Sequence, residues 1–274
     1  MASDKSPPPI LVATRWNLAG RTALVTGATR GIGRGIVEEL AGVGARVYVC
    51  ARGEKEVDER VAEWRAQGLQ VAGSACDVSS LEQCRLLMAA VSQHFDGKLD
   101  ILVNNAGTAM AHPTADEAVT KILSPVIQTN FESGFNMSRL AYPLLKPSTN
   151  ASLVFISSIA SFTSVHPSCA LYSASKAAIN QLTKALACEW AKDGIRVNAV
   201  APGYIHSDFL DKRMGLAPDY SAKVQARTPL GRFGDTHEIA ATVAFLCMQG
   251  STFTTGTVIT IDGGYTAHSF ATNS

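Results

Sequence analysis

Seven short runs of apolar and β-branched residues punctuate this chain, and longer stretches with helical periodicity separate them. The runs are Thr22–Thr26, Arg46–Cys50, Gln70–Ala75, Ile101–Asn104, Leu153–Ser157, Arg196–Val200 and Val258–Ile261. Most are nearly continuous in apolar character, as strands covered on both faces must be, so they predict a parallel sheet. Helical patterns fill Ile32–Val43, Leu81–Phe95 (behind the capping candidates Ser79 and Ser80), Val119–Leu145, Tyr172–Lys192 and Asp235–Met248. Parallel neighbours require right-handed crossovers, so this β-α repetition predicts a Rossmann-like, doubly wound α/β sheet with helices on both faces. Residues 1–15, with Pro7, Pro8 and Pro9 in a row, are expected to form a flexible arm, and 16–274 a single domain. The longest interruption, Tyr204–Phe233, follows a strand and is expected to overhang the carboxyl edge of the sheet as a lid.

With 46% hydrophobic and 17% charged residues, the 274-residue chain has ample apolar surface for a large core. A net charge of +1 argues against nucleic acid or an anionic membrane as the main partner. No apolar run approaches the roughly 18 residues that a membrane span needs. The six cysteines are scattered, without a Cys-x-x-Cys pair or a neighbouring histidine cluster, so reduced core thiols are expected rather than disulfides or a metal site. The start lacks both the basic-then-apolar order of a secretory signal and the Arg-rich character of a transit peptide, which makes a cytoplasmic location the expectation.

Gly27, Gly31 and Gly33 sit between the first strand and the first helix, in Thr26-Gly-Ala-Thr-Arg-Gly-Ile-Gly33. Glycines there allow a tight turn and let a pyrophosphate approach the backbone at the positive end of a helix. The plain alternative is a tight strand–helix turn, but its place after an apolar strand favours dinucleotide binding, with Thr29, Arg30 and Ile32 as further contacts. At the end of the second strand, a carboxylate would suit the adenosine ribose of NADH and repel a 2′-phosphate. The chain reads Cys50-Ala51-Arg52 there, with Arg30 as a second cation, and two guanidiniums suit the phosphate of NADPH. Two solvated surface charges would be the bland explanation. Asp77, with Val78, is placed to accept from an adenine amino group, or else serves as a helix-entry residue. Asn104, Ala106 and Gly107 end the fourth strand, where small residues let a flat cofactor come close.

Tyr172 and Lys176, in Tyr-Ser-Ala-Ser-Lys, stand four residues apart and therefore share one face of a helix. A cation beside a phenol favours the phenolate, so the pair is expected to lower the tyrosine pKa from about 10 toward neutrality.

The ordered motifs TGATRGIG, NNAG, Ser157-Ser158, YSASK and Pro202-Gly203 resemble those of the short-chain dehydrogenases/reductases, over Leu18–Tyr265. In finer detail RWNLAGRTALVTG, AYPLLK, YSASKAAINQLTKALACEWAKDGIRVNAVAPG and IDGGYTA are similar to plant tropinone reductase-like enzymes. The resemblance implies NADPH-dependent reduction of a ketone. Tyr172 would protonate the carbonyl oxygen, Ser158 would hydrogen-bond it, Lys176 would lower the Tyr172 pKa and hold the nicotinamide ribose, and Asn130 would hold a relay water. Ser157 competes with Ser158, but strand alternation turns one of them away. Pro202, Gly203, Ile205 and Ser207 would flank the nicotinamide, Ser207 replacing a threonine that is frequent in the family. His112, Tyr204 and Phe209 are expected at the substrate pocket. Ser158 precedes Tyr172 by fourteen positions, one more than in the tropinone reductases, and Ser161 stands where a glycine is usual. Both departures weaken tropinone itself as the substrate.

Two other readings stay open. A 3-oxoacyl-carrier-protein reductase would want a basic surface near the lid, which Lys212, Arg213, Lys223 and Arg227 could supply. An idle dinucleotide-binding module would have no chemical need for Asn130, Ser158, Tyr172 and Lys176 together. The resemblance also implies pairing of the two long helical segments in a homodimer or homotetramer.

Overall fold

The computed structural model describes residues 12–110, 114–166, 168–207 and 218–267. After a short helix, α1 (Val12–Arg15), the chain forms β1 (Thr22–Thr26), α2 (Gly31–Gly42), β2 (Arg46–Ala51), α3 (Glu54–Ala66) and β3 (Val71–Ala75). It continues through α4 (Leu81–His94), β4 (Ile101–Asn104), α5 (Val119–Ile127), α6 (Ser133–Leu145), β5 (Ala151–Ile156) and α7 (Ala170–Trp190). The last elements are β6 (Ile195–Pro202), α8 (Pro218–Arg227), α9 (Thr236–Cys247) and β7 (Val258–Ile261). All seven strands pair in parallel in the order β3-β2-β1-β4-β5-β6-β7. The order reverses direction between β1 and β4, and that switch opens a crevice at the carboxyl ends of the strands.

Strand alternation divides the core in two. Ala23, Val25, Ile101, Val103, Val154 and Ile156 face one side, where they pack with Ile36 and Leu40 of α2, Trp64 of α3 and Val243 of α9. Leu24, Leu102, Leu153 and Phe155 face the other, against Leu87 of α4, Met137 and Leu145 of α6, and Ile179 of α7. Strands β1, β2, β4 and β5 are therefore apolar at most consecutive positions, which explains the nearly continuous apolar runs of the sequence.

Two elements depart from the sequence expectations. Helix α3 is so heavily charged that its apolar stripe is reduced to Val57, Val61 and Trp64, all buried at helical spacing. The expected helix Val119–Leu145 is interrupted by a π-helical turn, Gln128–Glu132, just after Pro125. That turn carries Asn130. Five of the six free cysteines are buried as expected, whereas Cys188 is exposed.

Candidate active site

One cleft of about 550 Å³ runs along the carboxyl edge of the sheet, from the glycine turn to the loop after β6. At one end lie Gly27, Arg30, Gly31, Ile32 and Gly33, joined by Arg52, Asp77, Val78, Ala106 and Gly107. Gly27 and Gly31 adopt φ +64° and +55°, a conformation that side chains resist. A Cβ at Gly33 would collide with the Gly27 carbonyl oxygen and with Asn105 Nδ2. The turn therefore keeps its backbone N–H groups uncovered at the start of α2, which suits a pyrophosphate. Asn105 secures it, donating to Thr26 O at 2.8 Å and Gly27 O at 2.9 Å. Asn104, its neighbour, is turned away: Nδ2 donates to Ser138 Oγ at 3.1 Å, and the side chain does not line the cleft. Alternation at the strand end is the signal that separates the two asparagines.

Thr29 lines an outer recess together with Arg30, Ala51, Arg52, Gly53 and Glu56. Both guanidiniums are exposed, and neither is in an ion pair among the described residues. Asp77 Oδ1 accepts from Ser79 N at 3.0 Å and Ser79 Oγ at 2.7 Å, so the helix-entry role is real, while the residue also lines the cleft.

At the other end, Ser158, Tyr172 and Lys176 converge. Tyr172 lies in the first turn of α7, with the Lys176 amine 5.7 Å from its ring centre. Burial pushes the phenol above its ordinary pKa, and the hydrogen bond with Ser158 opposes this. The expected lowering by Lys176 is thus not what the structure shows, because desolvation outweighs the available partners. The lysine itself is buried, donates to Ile156 O at 2.7 Å, and is pushed down by burial to about 8. Ser158 Oγ accepts from Ala160 N at 3.1 Å, which leaves its proton free to point at the phenol or at a reacting oxygen. Ser157 is buried and bonded to Asn180 at 2.6 Å, so alternation separates the two serines as expected.

Asn130 accepts from Thr108 N at 2.7 Å and donates to Thr108 O at 2.8 Å and Ser175 Oγ at 3.0 Å. A Cβ at Gly107 would stand 3.5 Å from both Asn130 Oδ1 and Lys176 Nζ, in ordinary contact, so both groups border the same stretch of backbone. Pro202, Gly203, Ile205 and Ser207 line the cleft beyond β6. The substrate end adds Met110, Pro125, Gln128, Ile159, Val165 and Tyr204, without an Asp, Glu, Arg or Lys beyond Lys176 among the described residues. Tyr204 and Tyr220 share the Val165 carbonyl, at 3.2 and 3.0 Å, which fastens α8 to the loop before α7. Pairing of tyrosines 16 residues apart has no local signal in the sequence. His112 and Phe209 lie outside the described residues.

A doubly wound sheet with a glycine turn and a Ser-Tyr-Lys group at its switch point defines an oxidoreductase of the dinucleotide-binding class. The chain belongs to the short-chain dehydrogenase/reductase family: residues 27–266 match the family model described as enoyl-(acyl carrier protein) reductase. A chloroplastic tropinone reductase homolog of Arabidopsis thaliana is 49% identical over 93% of this chain and 79% of its own length. The tropinone reductase homolog of Datura stramonium is 48% identical, over 93% of this chain and 96% of its own length. Among solved structures, a gluconate 5-dehydrogenase from Burkholderia cenocepacia in complex with NADP and tartrate superposes with a TM-score of 0.88. It is 29% identical and covers 94% of this chain and 99% of its own.

Proposed function

We propose that the protein is an NADPH-dependent carbonyl reductase that converts an uncharged, partly apolar ketone to a secondary alcohol, reversibly. The observation that supports this best is the Ser158, Tyr172 and Lys176 group placed against a cleft end walled by Met110, Pro125, Ile159, Val165 and Tyr204. The glycine turn, Asp77, Val78, Gly107, Pro202 and Ser207 would hold the dinucleotide, and the unpaired Arg30 and Arg52 would hold its 2′-phosphate. A reduced nicotinamide, when bound, supplies the hydride for the carbonyl carbon.

The chain supplies the rest. Ser158 donates its free proton to the ketone oxygen and holds developing negative charge there. Tyr172 transfers its phenolic proton to that oxygen, which a high phenol pKa alone would hinder. Lys176, cationic near neutrality, stabilises the phenolate that remains. Asn130, tied by its side chain to Thr108 and to Ser175 next to Lys176, is read as holding the relay water.

The carrier-protein reading loses ground. Lys223 pairs with Asp219 at 3.7 Å and Arg227 stacks on Tyr265 at 4.4 Å, while Lys212 and Arg213 lie outside the described residues. We also propose a homodimer or homotetramer, a reading supported by exposed Leu123 on α5 and Phe135 on α6. No described helix is long and apolar enough to cross a membrane, and a cytoplasmic location stays our proposal.

The test is loss of NADPH absorbance against a panel of ketones: tropinone, cyclic ketones, monoterpenoid ketones and a β-ketoacyl thioester. Turnover should prefer the apolar ketones and fall at least ~1,000-fold in Tyr172→Phe, consistent with loss of acid catalysis. Wild-type activity confined to the thioester would favour the carrier-protein reading, and undiminished activity in Tyr172→Phe would refute the mechanism.

A further inference from the structure

Behind the cleft, a chain of short hydrogen bonds ties the backbone around Ser158 to α7. Asn180, one turn beyond Lys176 and 8% exposed, accepts from Ser157 Oγ at 2.6 Å through Oδ1. Its Nδ2 donates to Ser161 Oγ at 2.7 Å. Ser161 Oγ in turn donates to the Ser158 carbonyl at 2.5 Å, which also receives the Ser161 N–H at 3.0 Å. Ser157 Oγ is 3.3 Å from the Lys176 carbonyl.

We propose that Ser161 and Asn180 are positioning residues, a polar clamp that holds Ser158 in register with Tyr172. The kinetic part of this proposal rests on the reductase reading above. A serine hydroxyl has one proton, and that of Ser161 is committed to the Ser158 carbonyl, so only a donor can face its oxygen from α7. The Asn180 amide meets this requirement with Nδ2 while Oδ1 takes the Ser157 proton. Its orientation is therefore determined at both ends. Helix α7 also carries Tyr172 and Lys176, so the clamp fixes the Ser158 turn relative to the same rigid element. Ser158 opens a single 3-10 turn, Ile159–Ser161, and such a short element gains little rigidity of its own. A glycine at position 161 would remove the Ser161 Oγ that Nδ2 of Asn180 meets, and with it the side-chain link from the turn to α7 at that position.

The experiment compares Ser161→Ala, Ser161→Thr, Asn180→Asp and Ser158→Ala with wild type, each checked for folding by circular dichroism. An aspartate at position 180 would draw the Ser161 proton away from the Ser158 carbonyl. With a ketone turned over by wild type, Ser161→Ala and Asn180→Asp should lower kcat about 10-fold while KM stays within about 2-fold. Ser161→Thr, which keeps the hydroxyl, should restore kcat. Adding Ser161→Ala to Ser158→Ala should cost nothing further, because both act through one group.

A second readout needs no substrate. The ultraviolet titration of Tyr172, taken as the difference from matched Tyr172→Phe proteins, should move up by about one pH unit in Ser161→Ala. Unchanged kcat with an unchanged titration, or a fully additive loss in the double variant, would overturn the proposal. If wild type reduces no ketone, the reductase reading fails while the titration still decides for or against the clamp.

Discussion

Lys176 provides a test that requires neither cofactor nor substrate. The residue is 5% exposed, and burial pushes its amine down from 10.5 to about 8. Because the folded pKa lies below the unfolded one, the unfolded chain binds more protons between the two values. Stability must therefore rise with pH across that window. Near neutral pH both states carry the proton, and keeping it buried costs the fold about 3 kcal/mol at about 1.4 kcal/mol per pH unit. By about pH 9.5 the folded amine has lost its proton while the unfolded one mostly keeps it, and the cost falls to about 1 kcal/mol. Wild type should thus gain about 2 kcal/mol over this range relative to Lys176→Met, which has no proton to lose. Urea unfolding of both proteins in a Tyr172→Phe background, which removes the one phenol whose titration Lys176 would alter, gives the difference at equal concentration and several pH values. A constant wild-type-minus-variant difference across the window would refute the reasoning: the amine would then be solvated, and its support of the Tyr172 phenolate would have to come from elsewhere.

Two further outcomes follow from the surface of the molecule. Arg52→Asp should weaken NADPH binding at least ~10-fold, the scale of one charge-assisted hydrogen bond, and bring NADH affinity up toward it. Fluorescence titration with both cofactors checks this, and an unchanged NADPH-to-NADH ratio would move the 2′-phosphate away from Arg52. Light scattering should give a mass of two or four chains, and Phe135→Glu on α6 should shift it toward one. A monomeric wild type would return Leu123 and Phe135 to ordinary exposed residues.

The alternation of apolar runs with helical periods was enough to locate all seven strands, because strands buried on both faces keep polar positions few, Arg196 and Asn198 of β6 being buried exceptions. The glycine turn and the Tyr172–Lys176 spacing were equally legible, since both depend on chemistry within a few residues of chain. What lay beyond reach involved distant partners or helices without an apolar signature. Helix α3 hid behind its charges, and the π-helical turn at Asn130 carries no signature in the helical periodicity around it. The sequence assigned Asn104 to the cofactor and left Asn105 without a role, whereas Asn105 meets the cleft, because one residue of register decides which side of the sheet a side chain meets. Likewise the sequence placed a lysine one turn from Tyr172, but only the folded chain determined that burial outweighs the Ser158 hydrogen bond and pushes the phenol up. Local covalent pattern thus specified the elements and the reactive residue types. Burial, and contacts such as those linking Thr108 to Asn130 and Asn130 to Ser175 of α7, 22 and 45 positions apart, decided their protonation and their aim, because both depend on neighbours that only tertiary packing supplies.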